Sequence, residues 1–290
     1  MGTSTAYGGP SGGTPLVPSW LGSDAGGAPP APPGDGVPDG DAPALVPAAP
    51  PNRPAFLPVA DPNRFTGART NFTRFANSGG GDRASLGRAV SRYVSTASGG
   101  ARQAAQRMGA SRGAGARLLG FLSDAQARGT REALRTLNLE SLAGRPIDEI
   151  FVGLADHICP GAGTVDEGIA REAFVETIIE LATLGVTDLD ALTPEQMHTV
   201  FELYATHAIE ARICNDIGAK AVTIPADAQT AIRVQTQLRD FIRRAVSDAL
   251  TAARAQTPTL TPERVQSFVD SVYESAFGIL QALGDAEVAQ

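Results

Sequence analysis

Lysine is nearly missing from this chain: Lys220 stands alone among 24 basic residues, the rest being arginine. Chemistry that needs a lysine amine, such as a Schiff base, has one address. Cysteine is scarce too. Cys159 and Cys214 are the only two, too few for a disulfide framework, and they read as free thiols of a reducing compartment. Aromatic residues make up 6% of the sequence, with a single tryptophan, Trp20. No run approaches the ~18 apolar residues that a membrane-spanning helix needs. No basic stretch followed by an apolar one marks a secretory leader. The expectation is a cytoplasmic protein without a membrane segment.

Catalytic signatures are equally thin. There is no G-x-x-x-x-G-K-[ST] phosphate loop and no G-x-S-x-G nucleophile elbow. His157 with Cys159, and His207 with Cys214, are the nitrogen and sulfur ligand candidates. Their spacings of one and six residues lack the tight pairing of structural zinc sites. Glu195-Gln-Met-His198 fits one half of a di-iron motif, but no second copy exists. A non-enzymatic protein without metal or cofactor is expected.

What is present begins at the N-terminus. Residues 1–51 hold 11 Gly and 12 Pro, a composition that cannot bury enough apolar surface to offset the entropy of ordering. Within it, Leu16, Val17, Pro18, Trp20 and Leu21 form a short cluster that a partner could grip. Residues 23–62 continue as an Ala/Pro/Gly/Asp spacer. Residues 1–62 are therefore expected to be a disordered tail and linker.

Charge divides the remainder. The net charge of −7 conceals +10 over residues 51–135 and −13 over residues 136–290. In residues 63–81, Phe65, Phe72 and Phe75 interleave with Arg64, Arg69 and Arg74. Such a pattern suits either an arm docked on the chain's own acidic helices or contact with nucleic acid. Asp82 reads as a helix N-cap. Leu86, Ala89, Val90, Tyr93, Val94 and Ala97 follow at helical spacing, with Arg88 and Arg92 on the opposite face. Gly109 to Gly115 reads as a loosening of the helical pattern. Residues 63–142 are taken as a basic region of Arg/Phe arm and small-residue helices.

From residue 143 the helix signals sharpen. Thr164-Val-Asp-Glu167 and Thr193-Pro-Glu-Gln196 are capping boxes, in which side chains satisfy otherwise orphaned amides. Pro225 is expected to open the longest helix, and Ala221 to Ile224 to be briefly extended. Thr261-Pro262-Glu263 caps the last helix, whose stripe runs from Val265 to Leu283. Residues 143–290 are expected to be an acidic, independently stable α-helical domain. The fold class is all-α, a helical bundle behind a long tail.

Two stretches resemble a known family. The opening MGTSTAYGGPSGGTPLVPSWLG, and Arg64-Phe-Thr-Gly-Ala-Arg-Thr-Asn-Phe-Thr-Arg-Phe-Ala-Asn-Ser-Gly-Gly80, are similar to the B component of the Qat anti-phage defence system. The resemblance implies partners of the same operon: a P-loop ATPase, an enzyme similar to 7-cyano-7-deazaguanine synthase, and a TatD-like nuclease. It also implies a role for the tail. Gly2 follows Met1, and removal of Met1 leaves an α-amine with a reference pKa of about 7.7–8.0. A deazaguanine-synthase-like partner makes Gly2 the expected modification acceptor, with Leu16 to Leu21 as the recognition anchor. The alternative is a nucleic-acid-binding adaptor that uses residues 64–135, with Arg64, Arg69, Arg74, Arg88 and Arg92 as contacts.

Overall fold

A computed structural model describes residues 61, 63–161, 163–183, 187–218, 227–257 and 260–289. The predicted tail, with Gly2, Leu16, Val17, Pro18, Trp20 and Leu21, lies outside the described residues, as do Lys220 and the stretch from Ala221 to Ile224. Contacts divide the chain into Met1–Phe56 and Leu57–Gln290; every described residue belongs to the second unit.

That unit is built from α1 (Thr66–Asn77), α2 (Arg83–Arg92), α3 (Ala101–Gln106), α4 (Gly109–Arg128), α5 (Thr130–Thr136), α6 (Ile147–Ile158), α7 (Val165–Thr183), α8 (Pro194–Ile217), α9 (Ala228–Gln256) and α10 (Pro262–Ala289). No strand occurs among the described residues, and the fold is all-α, as the sequence predicts. A π-helical turn, Tyr93–Ala97, extends α2, and a 3-10 turn, Glu140–Leu142, follows α5.

Local chemistry explains most boundaries. The Asp82 carboxylate accepts from the Ser85 amide at 2.9 Å and starts α2. Gly99 and Gly100, at φ 85° and 102°, end the π turn in a backbone region that side chains disfavour. Both capping boxes form: Glu167 accepts from the Thr164 amide at 2.9 Å, and Thr193 with Gln196 does the same for α8. The longest helix starts three residues later than Pro225 suggests. Asp227 is its cap, accepting from the Thr230 amide at 2.8 Å.

The glycines of residues 109–115 do not loosen the chain; they lie inside α4. A Cβ on Gly115 would sit 3.2 Å from both Phe201 and Tyr204, so this position lets α4 approach α8. Asp166 holds the first turn by accepting from the Ala110 amide at 2.8 Å. Close packing and a borrowed cap outweigh the poor helix propensity of glycine.

The stretch expected to be an arm is the helix α1. Phe65, Phe72 and Phe75 are buried. They join a continuous apolar core that runs from Phe65 to Leu280. Residues 63–142 and 143–290 thus share one core. α10 packs against α2, α3, α4 and α9, and α8 packs against α4, α7 and α9. The tightest crossing joins α2 to α10. A Cβ on Gly87 would meet the Gly284 carbonyl oxygen at 2.7 Å, and one on Gly284 would meet the Gly87 oxygen at 2.5 Å. Beside this contact Ser91 donates to Asp285 at 2.6 Å. No helix among the described residues is long and apolar enough to cross a membrane.

Candidate nucleic-acid and partner interface

The structure brings two of the predicted arginines to one node and leaves three outside it. Arg64 lies over the Phe65 ring at 4.7 Å, and Phe65 stacks on Tyr93 with centroids 6.0 Å apart. Arg69 donates through Nε to the Ile217 carbonyl at 2.7 Å and through a terminal nitrogen to that of Asp216 at 3.3 Å. It thereby caps the negative end of α8. The Tyr93 hydroxyl donates to Asp216 at 2.8 Å. Burial, then the Asp216 charge, raises the Tyr93 pKa, so the phenol stays protonated.

Arg107 and Arg212 complete the node, and sequence spacing did not point to either. Arg212 bridges Asp216 and Asp166 at 3.2 Å each. Arg107 has only a 3.5 Å contact with the Ala97 carbonyl, at the end of the π turn. Burial, then repulsion from Arg64, lowers the Arg107 pKa. Such widened turns occur often at functional sites.

Arg74 and Arg88 form a second group, near Asp82. The Ser85 hydrogen bonds lower the Asp82 pKa most, and Arg88 and Arg74 add their charges. Arg92 is exposed and lies across Gly67, where a Cβ would be 3.1 Å from its guanidinium. Gly67 is one helical turn from Arg64.

A second charged cluster was not legible in the sequence, because its members come from three helices. Glu180 on α7 receives Arg243 of α9 and contacts His207 Nε2 of α8 at 2.8 Å. Glu210, one turn along α8, receives Arg239 Nε at 2.6 Å. Burial is the largest influence on Glu180 and would raise its pKa, but Arg243 and His207 together outweigh it and the net shift is downward. Burial, then Arg239, lowers the His207 pKa, which favours the neutral ring beside Glu180. This is a structural seam that ties α7, α8 and α9.

The other ligand candidates are dispersed. His157 is exposed, and the buried Cys159 thiol points at the Ala170 carbonyl at 3.6 Å. Burial raises this thiol to about 11. Among the described residues no three His, Cys, Asp or Glu side chains are grouped to hold a metal ion. His198 lies at the rim of a cleft of about 710 Å3 between α4, α8, α9 and α10, with Leu119, Met197, Arg254 and Phe268. Its Nδ1 is 2.6 Å from the Pro194 carbonyl of its own first turn.

The architecture defines an all-α protein with arginine-rich first helices, α1 to α3, and an internal ionic seam among α7 to α9. Residues 99–280 match the family model described as Qat anti-phage system associated protein QatB. The match covers more than half of the chain, and the chain belongs to this family, a component of the Qat anti-phage defence system. No curated protein and no solved structure matches it.

Proposed function

We propose that this chain is a non-enzymatic component of its system, in which the tail is the working part and the helical body its carrier. The tail offers the Gly2 amine to a deazaguanine-synthase-like partner of the operon, and Leu16, Val17, Pro18, Trp20 and Leu21 are the grip. The carrying observation is the amine inventory: one lysine in 290 residues. With Met1 removed, the Gly2 amine has a reference pKa of about 7.7–8.0 against about 10.4 for the single lysine side chain. At neutral pH it is the main source of a nucleophilic neutral amine. The glycines that follow let the terminus enter a narrow active site. Amide formation would join the Gly2 nitrogen to an ATP-activated carbonyl carbon; the activating group leaves and the nitrogen loses one proton.

Intact-mass measurement of the chain, produced with and without its operon partners, tests this reading. The expected result is a mass increase located in the first tryptic peptide, dependent on the deazaguanine-synthase-like partner. An unchanged N-terminal mass, or full defence by a variant in which a bulky residue at position 2 retains Met1, would refute it.

A further inference from the structure

Between Asn63 and Met108 the sequence holds eight arginines, at 64, 69, 74, 83, 88, 92, 102 and 107, and one acid, Asp82. None of the eight forms an ion pair with a described residue. The charge of Asp82 is already engaged at the start of α2. Arg69 is occupied by carbonyls at the end of α8. The remaining seven are exposed or half-exposed. Arg92 lies across Gly67 in the first turn of α1, Arg107 is near enough to Arg64 for their charges to repel, and Arg74 and Arg88 flank Asp82 beyond the far end of α1. From Gly67 to Arg74 the helix rises roughly 10 Å, a distance that a nucleic-acid backbone covers in a few phosphates.

We infer that this face binds the phosphodiester backbone of nucleic acid, without reading bases. Three observations favour this over an acidic protein partner and over base recognition. First, the large exposed hydrophobic residues among the described residues are Val152, Val165, Val175, Ile179, Ile232 and Val288; none lies on α1 to α3, and the apolar cleft that Phe72, Phe75 and Ala76 line on α1 is shared with Ile213, Ile217 and Leu238 of α8 and α9 and holds none of the eight arginines, whereas a protein interface wants an apolar centre among its charges. Second, Phe65, Phe72 and Phe75 are all buried, which removes the platforms on which bases would stack. Third, Arg112, Arg128, Arg131 and Arg135, inside the basic stretch of the sequence, are already paired with carboxylates. The binding face is therefore residues 64–107 and not the whole basic segment. It is independent of the Gly2 reading and can hold if that fails.

The test is fluorescence anisotropy of the full-length protein with labelled mixed-sequence single-stranded and duplex DNA over a series of salt concentrations. Each phosphate neutralised adds about 0.7 to the log–log salt slope for single strands and about 0.9 for duplex. The variant R64Q/R92Q/R107Q is expected to reduce the slope by about two to three and the low-salt affinity by about tenfold or more. R74Q/R88Q should reduce the slope by about one to two, and it carries the test if the triple variant does not fold. R128Q/R135Q/R145Q, whose guanidinium groups are self-paired, should bind like the parent. Absence of salt-dependent binding to either probe overturns the inference. So does equal weakening in the self-paired control, or polyglutamate competing as well as the oligonucleotide.

Discussion

Arginine does opposite work in the two halves of the helical unit. Before Met108, none of eight arginines has a carboxylate partner among the described residues. From Arg112 onward, nine of fourteen do. In the first region the side chain is a surface charge without a carboxylate; in the second it is paired, at the surface for Arg128, Arg131, Arg135, Arg145 and Arg171 and between helices for Arg112, Arg212, Arg239 and Arg243. Net charge cannot show this, because ten of the positive charges of residues 51–135 are uncompensated in the sum but not in the same way in space. Arg112 crosses to Asp270 of α10, whereas Arg92 lies over a glycine and faces solvent.

The comparison breaks most severely if the halves are cut apart. A chain starting at residue 143 would expose the faces of α8 and α10 that bury against α2 and α4, so circular dichroism on heating should show no cooperative transition. Almost as large an effect is expected from Gly87→Val. Its Cβ would meet backbone, which cannot rotate away, and overpacking at such a site costs about 1–3 kcal/mol or more; the thermal melt should fall by several degrees or more. Gly278→Ala is the control on α10: nothing lies within 4 Å of its Cβ position, and helix propensity predicts a gain of about 0.5–1 kcal/mol.

Within the ionic seam, Glu210→Ala leaves Arg239 without its 2.6 Å partner. Arg239 is 30% exposed, so water moderates the loss, and about 1–3 kcal/mol is expected from denaturant unfolding. Smaller still is a pH effect. The folded pKa of His207 is lowered below its unfolded value of about 6.5, so the unfolded chain binds the proton more readily. That stability is complete above about pH 6.5 and is lost as pH falls through the folded pKa. The melting temperature should decline between pH 7 and pH 5, and His207→Gln should flatten the decline. Last, Arg145→Gln removes a solvent-exposed pair with Glu149 and should change stability by less than about 0.5 kcal/mol.

Much of the fold was legible because caps and stripes are local. Asp82, Thr164 with Glu167, and Thr193 with Gln196 each mark a helix start within four residues. What escaped the sequence depends on distant partners. Gly109 to Gly115 looks like a break until Phe201 and Tyr204 are seen against Gly115, and Asp166 against Ala110. Phe65, Phe72 and Phe75 announce burial but not the helix that carries them. The arginines were visible as charge. Whether each was spent or free depended on carboxylates up to 158 residues away, as with Arg112 and Asp270.

The Gly87–Gly284 crossing sets an order of events during synthesis. The two glycines are nearly two hundred positions apart, so the ribosome releases α2 long before α10 exists. Until then the Gly87 face of α2 has no cover from α10. Long-range closures of this kind slow folding and leave intermediates exposed. A ribosome that stops before Pro262 would release a chain in which α2, α3 and α9 lack the helix they pack against. The close contact that covers Gly87 thus forms only after α10 has been made.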